Sequence, residues 1–330
     1  MSERAPRTPA HWAVLGAGVI TGDFVAALPH AEHGVLHAVG ARAGIRAREF
    51  ADRHGAPVAG TYDEVLARED VDAVYIGTVH TTHADLAHAA LDAGKAVLCE
   101  KPLGVTAAET EAVLAHAARV GLPVVEAFKY RFGPFPDRLR ALISSGALGE
   151  LVSVDSTLGF AADVHDGRLF DPATAGGAIL DVGCYPASLA VGLAAWAGVQ
   201  DEPVLVDADG VVGAVDEQAR ATIAFGSFTA RIATAITADL PRAAVIRGTA
   251  GELHIENVWG SRVVSTTEAV LRRADGSVEQ IRTGTVSPMA AEADATILAL
   301  RAGRAEAPEM PWAETRTIAR LLEDWRAALG

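Results

Sequence analysis

The 330-residue chain has only two cysteines, Cys99 and Cys184, too few for a disulfide framework or a multi-cysteine zinc site. Basic residues are in the minority, with 28 Lys and Arg against 42 Asp and Glu and a formal charge of −14. Such a surface repels phosphate backbones and anionic lipid, which excludes a dedicated nucleic-acid or membrane-surface protein. Any phosphate the chain binds must be held by a local site. The N-terminal stretch Met1–Thr8 lacks an apolar signal core. The apolar runs read as far short of the roughly 20 residues that cross a bilayer. No internal repeat, low-complexity tract or linker rich in Gly and Ser is visible. A cytoplasmic protein is expected. Half of the residues are hydrophobic and 21% are charged, which excludes bulk disorder. At roughly 150 residues per domain, two domains are expected.

The first third alternates short apolar runs with helical patterns, the signature of a parallel sheet covered by helices. Strands are expected at Trp12–Gly16, Gly34–Ala41, Ala73–Thr78, Ala96–Glu100 and Pro123–Ala127. Helices are expected at Val19–Leu28, Ile45–His54, Thr82–Ala93 and Ala107–Val120. Beyond residue 128 a helix over Pro134–Ser144 leads into period-two segments at Leu151–Leu158, Gln218–Phe225, Phe228–Thr237 and Ala243–Arg247, which argues a mostly antiparallel sheet. The chain ends in an amphipathic helix over Pro311–Gly330. The expected fold class is α/β: a doubly wound Rossmann domain over residues 1–128, then an α+β domain over 129–330 with a large open-faced sheet. Ala219, Ala221, Ile223 and Phe225 read as one face of that sheet, and Phe228, Ala230, Ile232 and Thr234 as another. Apolar surface on both faces leads to the expectation of a homodimer through the open one.

The first strand runs into Gly16-Ala17-Gly18-Val19-Ile20-Thr21 and then a helix. Gly16 permits a tight turn, Gly18 lets backbone approach a pyrophosphate, and the helix N-terminus supplies amide donors. Thr21 stands where the third glycine of the fingerprint is usual. A dinucleotide site is expected, with Gly16, Ala17, Gly18, Val19 and Ile20 holding phosphate. NAD usually needs an acidic residue at the end of the second strand. Here Ala41-Arg42-Ala43 stands there, with Arg46 one turn on. Guanidinium groups suit a 2′-phosphate, so NADP is expected over NAD; the alternative is a solvated arginine at a helix start.

Ala96-Val97-Leu98-Cys99-Glu100-Lys101-Pro102 puts a charged pair at the carboxyl end of a buried strand, where open parallel sheets hold ligands. At these residues the chain resembles the glucose–fructose oxidoreductase, inositol dehydrogenase and rhizopine-catabolism superfamily (Gfo/Idh/MocA), of which Glu-Lys-Pro is a hallmark. Tyr75-Ile76-Gly77-Thr78 with His83, Glu126-Ala127-Phe128 with Arg131, and Gly176-Gly177-Ala178-Ile179-Leu180-Asp181-Val182-Gly183-Cys184-Tyr185 are similar to family segments in the expected order. Ala41-Arg42, Arg46-Ala47-Arg48-Glu49-Phe50-Ala51 and Tyr185 look most like the dimeric dihydrodiol dehydrogenase and glucose–fructose oxidoreductase branch.

The resemblance implies hydride transfer between a nicotinamide and a carbon bearing a hydroxyl or carbonyl, on a sugar, cyclic polyol or dihydrodiol. It implies a catalytic group of Lys101, Asp181 and Tyr185. If Asp181 begins a helix, Tyr185 lies one turn later on the same face, about 6 Å away. Tyr185 would exchange the proton, and Lys101 would stabilise its phenolate and the substrate alkoxide. Asp181 would orient Lys101 or a substrate hydroxyl, cap the helix, or do both. Thr78, His83, Glu100 and Lys101 are assigned to the cofactor side, and Phe128, Lys129, Arg131, Phe160 and Arg168 to the substrate side. The rival readings are a non-catalytic NADP-binding sensor or partner-binding protein on the same fold, and an enzyme cycling a tightly held nicotinamide.

Lys129 stands where relatives often carry Trp or Met, adding positive charge at the expected substrate mouth. His80, His83 and His88 include an H-x-x-H spacing, but no matched carboxylate and cysteine set accompanies it, so no metal is expected. His80 and His88 read as surface or helix residues. Phe128, Tyr130, Phe132, Phe160 and Phe170 suit a ring-stacking wall or simply core. Cys184 reads as inert packing.

Overall fold

The computed structural model describes residues 8–164, 166–261, 265–285 and 287–330. The signal-core reading therefore falls mostly on Met1–Arg7, outside the described residues. Six short strands make the first sheet: β1 (Ala10–Leu15), β2 (Gly34–Gly40), β3 (Val58–Gly60), β4 (Ala73–Ile76), β5 (Ala96–Glu100) and β6 (Val124–Ala127). All are parallel, in the order β3-β2-β1-β4-β5-β6, the doubly wound order of a Rossmann fold. Between them run α1 (Val19–Ala27), α2 (Gly44–His54), α3 (Tyr62–Leu66), α4 (His83–Asp92) and α5 (Ala107–Val120). Alternation sorts the strand residues between two apolar layers. Trp12, Val14, Tyr75 and Leu98 share a core with Phe24 of α1, while Ala13, Leu15, Val74, Ile76 and Val97 pack with Leu86 and Leu91 of α4 and Leu114 of α5.

The rest of the chain supplies α6 (Pro134–Ser144), β7 (Leu151–Ala161), α7 (Cys184–Trp196), β8 (Val204–Val212), β9 (Asp216–Phe225), β10 (Phe228–Ala235), β11 (Thr237–Leu240), β12 (Ala244–Gly248), β13 (Gly251–Glu256), β14 (Ser265–Arg273), β15 (Val278–Thr285), α8 (Pro288–Arg301) and α9 (Trp312–Ala328). The second sheet runs β15-β14-β13-β12-β7-β10-β9-β8, with β11 on β7. It is antiparallel except at the β7–β10 pair. The last two helices return to the first sheet. Trp312 Nε1 donates to the Val124 carbonyl at 2.9 Å, and the Asp294 carboxylate accepts from Glu32 and His33 amides at 2.9 and 2.8 Å.

The faces of the second sheet differ from the sequence expectation. Phe228 pairs directly with Phe225, Ala230 with Ile223, Ile232 with Ala221 and Thr234 with Ala219. Opposed residues of a ladder project to the same side, so the two sets form one face. All eight are buried, in the core shared with α7. The opposite face carries ion pairs instead: Arg231 to Asp155 at 3.2 Å, Arg247 to Asp155, Arg247 to Glu252 at 2.6 Å and Arg282 to Glu268 at 3.3 Å. The apolar argument for a dimer therefore falls.

One apolar helical run is longer than the sequence expectation. Among the described residues one helical run, Pro172–Trp196, is long and apolar enough to span a bilayer, with 89% of its window buried inside the protein. It contains α7, whose residues from Pro186 to Ala194 are buried on every side. That is how a central core helix reads.

Candidate active site

The carboxyl ends of β1, β4 and β5 meet at the point where strand order reverses. Gly16 takes φ +111°, and a Cβ there would lie 2.7 Å from the Gly77 carbonyl oxygen after β4; only glycine fits that crossing. Thr21, in place of the third glycine, is buried and donates its hydroxyl to the same carbonyl at 3.3 Å. Gly18 begins α1 with no side-chain cap and no acidic residue in the first turn. A Cβ placed on Gly18 would meet nothing within 4 Å. Open space in front of uncapped helix amides fits a pyrophosphate. Ala17 and Ile20 are half-buried and Val19 is exposed. Arg42 and Arg46 are both exposed, beyond β2 and at the start of α2, and the Arg42 charge opposes the upward push of burial on Tyr62.

Beneath this loop, β5 delivers Glu100 and Lys101. Glu100 is buried and accepts the Tyr75 hydroxyl at 2.7 Å. His83, wholly buried, faces the Pro102 carbonyl with Nδ1 at 2.7 Å and the Thr78 carbonyl with Nε2 at 3.3 Å. It ties the start of α4 to the turn carrying Lys101. Burial lowers its pKa, so the neutral ring donates from one nitrogen only. The Thr78 hydroxyl accepts from Thr82 at 2.7 Å.

The third wall is the approach to α7. Asp181 lies inside a π-helical turn, Ile179–Gly183, that precedes α7, so it neither begins the helix nor caps it. Asp216 does the capping: its carboxylate accepts the Ile179 amide at 2.6 Å. A Cβ on Gly176 would meet the Leu169 and Arg168 carbonyl oxygens at 2.5 and 2.6 Å, so glycine lets the Arg168 turn press against this start. Arg168 then donates to the Asp181 carboxylate at 2.9 Å.

Lys101 Nζ donates to the Asp181 carbonyl and stands 5.2 Å from the centroid of the Tyr185 ring. Lys129 Nζ is 5.6 Å from the same centroid and donates to the Trp259 carbonyl at 2.5 Å. Phe128, Tyr130 and Trp259 hold the ring at 5.6, 5.9 and 5.8 Å. Burial works against the Lys101 ammonium, but Cys184, Asp181 and Glu100 outweigh it and hold its pKa above the lysine value. Burial also opposes the Asp181 carboxylate, yet the charges of Lys101 and Arg168 keep its pKa low. A charged lysine, a charged aspartate and a phenol therefore share one site, an arrangement suited to moving one proton.

The matching family model, "Oxidoreductase family, NAD-binding Rossmann fold", covers residues 10–128, and the GFO/IDH/MocA C-terminal domain covers residues 137–254. The chain belongs to the GFO/IDH/MocA oxidoreductase family. It is 34% identical to trans-1,2-dihydrobenzene-1,2-diol dehydrogenase of Homo sapiens, over 97% of this chain and 96% of that one. It is 36% identical to the Oryctolagus cuniculus protein of that name, over 96% and 98%. Its structure is similar to a 3-ketoreductase from Actinomadura kijaniata, solved in an open conformation with TDP-benzene and NADP. The TM-score is 0.82 at 25% identity, over 98% of this chain and 97% of that chain.

Within this oxidoreductase fold Lys101, Asp181 and Tyr185 come together, with Phe128, Lys129 and Arg168 around them. Phe128 is wholly buried and supports the Tyr185 ring edge-on. Phe160, at the end of β7, is half-buried against the core. Arg131 is a correction. Its guanidinium is fully buried, pairs with Glu314 at 2.5 Å and stacks 4.8 Å from the Trp196 ring centroid, so it braces α9 and is closed to substrate.

His80 is the residue the sequence reading missed. It is buried, with Nδ1 3.1 Å from the Ala175 carbonyl and Nε2 4.0 Å from the Asp181 carboxylate. Burial, with Lys101 and His83, pushes its pKa down to about 3, so at neutral pH it is an uncharged ring beside Asp181. The signal available was its place just after β4, at the ligand-binding end of the sheet. His88 instead meets His116 at 2.8 Å between α4 and α5. Among the described residues no group of three His, Cys, Asp or Glu side chains could hold a metal.

Proposed function

We propose that this protein is an NADP-dependent dehydrogenase that exchanges a hydride with a hydroxyl-bearing carbon of a dihydrodiol, sugar or cyclic polyol. The observation that carries the reading is the approach of the Lys101 ammonium to within 5.2 Å of the Tyr185 ring centroid, at the carboxyl end of β5. Support for the substrate class comes from relatives named for a dihydrobenzenediol, and for NADP from Arg42 and Arg46 together with the NADP of the similar ketoreductase.

Bound at the Gly16–Ile20 loop, a nicotinamide dinucleotide supplies the hydride acceptor or donor. The chain supplies the proton path and the charge. In oxidation, Tyr185 acts as the phenolate, held in that form by Lys101, and becomes the phenol as it takes the hydroxyl proton, while Lys101 also stabilises alkoxide character on the substrate oxygen. Asp181 anchors Lys101 through its carbonyl and holds Arg168 through its carboxylate. Arg168, 54% exposed, is left facing solvent at the edge of the site, where a second substrate hydroxyl can reach it. Reduction runs the same proton back from Tyr185.

The test is a panel of trans-dihydrobenzenediol, aldoses and inositols, assayed with NADP and NAD by reduced-nicotinamide absorbance. Turnover with NADP on at least one member is expected. Tight NADP binding without turnover on any member would support the sensor reading instead. A homodimer and cytoplasmic residence belong to the same proposal; light scattering at micromolar concentration checks the first, and fractionation of the producing cell the second.

A further inference from the structure

We propose that Lys129 is a second cation acting on Tyr185, one that holds the deprotonated phenol together with Lys101. The two ammonium groups lie 5.2 and 5.6 Å from the centroid of the same ring. They arrive from different elements, Lys101 from the end of β5 and Lys129 from the 3₁₀ turn Lys129–Arg131 after β6. Phe128 and Trp259 pack the ring with apolar surface, which keeps the local dielectric low and both charges felt. A cation over an aromatic face favours the more electron-rich form of that ring.

Among the described residues, the other charged groups near this ring are engaged elsewhere. Asp181, on the same helical run, is engaged by Arg168 and by the Lys101 charge, and His80 beside it is neutral. From α8, Glu292 is wholly buried with neither carboxyl oxygen hydrogen-bonded. Burial and then the Glu100 charge push its pKa well above the glutamate value. Both effects oppose a charge on this acid, and the Lys129 charge works the other way. Tyr130, also near the ring, gives its hydroxyl contact to Ser188 at 2.7 Å. The catalytic meaning of a held phenolate rests on the proton role given to Tyr185 above. Lys129 itself is a positioning residue, because it acts through that phenol.

The protein has four tyrosines, and burial raises the pKa of the other three: Tyr62, Tyr75 and, to about 12, Tyr130. The Tyr185 titration is thus separable by the tyrosinate ultraviolet band of the intact protein, without any substrate. We expect one transition ahead of the others in wild type, missing in Tyr185→Phe. In Lys129→Gln, which keeps a donor for the Trp259 carbonyl but no charge, that transition should move up by about one pH unit, the low end for one opposite charge at this range. Lys129→Arg, charged at every pH used, should return it to the wild-type position. Lys129→Met is a second uncharged variant should the glutamine form fail to fold. An unmoved transition in the uncharged variants, an equal shift in Lys129→Arg, or no early transition in wild type overturns the inference. Turnover of Tyr185→Phe is read separately. If it stays near wild type, the proton role fails while the titration still decides what Lys129 does.

Discussion

Lys101 and Asp181 are eighty positions apart, yet the lysine ammonium donates to the aspartate's backbone carbonyl. The bond fixes the end of β5 against the turn that leads into α7. The accepting carbonyl lies within the π-helical turn Ile179–Gly183. Such turns widen a helix locally and recur at functional sites. Here the turn carries Asp181, with its carbonyl to Lys101 and its carboxylate to Arg168, while Tyr185 follows in α7.

On the proposed reading, Arg42 sets cofactor choice. An arginine–phosphate contact near a surface contributes roughly 1.5–3 kcal/mol. Arg42→Ala should therefore weaken NADP binding about ten- to a hundredfold, since each 1.4 kcal/mol is tenfold. NAD, without the 2′-phosphate, should bind wild type and variant alike. Titration of both cofactors against both proteins checks this; equal weakening of the two would make Arg42 a solvated helix-start residue.

Glu126 makes stability depend on pH. Burial raises its pKa to about 7 from an ordinary value of 4.5, although the Leu103 amide donates to it at 2.9 Å. A carboxyl with a raised folded pKa gives its full contribution below the unfolded value. That contribution is lost as pH rises from about 4.5 through about 7, by about 3 kcal/mol in all. Glu126→Gln keeps the acceptor for Leu103 and cannot ionise. Urea unfolding from pH 4.5 to 7.5 should show wild type losing stability relative to this variant.

The Arg131–Glu314 pair is a structural brace. Arg131→Met alone leaves the buried Glu314 carboxyl without its partner, and should cost about 3–5 kcal/mol. The double variant Arg131→Met with Glu314→Leu should recover much of that. Turnover per folded molecule should stay within about threefold of wild type in the double variant, because neither side chain meets substrate. A double-mutant cycle in unfolding free energy, with active-site titration, tests both statements.

Much of the first sheet was legible because β1, β4, β5 and β6 are buried on both faces and the intervening helices carry clear stop signals. Gly55 and Gly121 end α2 and α5 in the left-handed conformation, as their positions suggest. β3 escaped notice because Val58–Gly60 is a three-residue edge, too short for alternation to register. The capping box that starts α3, Thr61 with Glu64, was readable but followed by only five helical residues. β8 is exposed along most of its length, so no burial pattern marks it. The face error in β9 and β10 has a simple cause. Phe225-Gly226-Ser227-Phe228 is a tight hairpin, and a two-residue turn sets Phe225 opposite Phe228 on the same side. At the site, residue types pointed to Lys101, Asp181 and Tyr185. The partners of Arg131 and the burial of His80 come from α9 and the Ala175 turn, which no local pattern connects to them.

On the proposed reading, Lys101 and Tyr185 move the proton that accompanies hydride transfer. The most direct measurement is NADP reduction by the substrate found in the panel, for wild type, Lys101→Met and Tyr185→Phe, with NADP affinity measured on the same preparations. Turnover should fall by at least about a hundredfold in each variant, with NADP affinity in Tyr185→Phe within about threefold of wild type because the phenol addresses the substrate. Near-normal turnover in both folded variants would contradict the claim and place the proton path elsewhere.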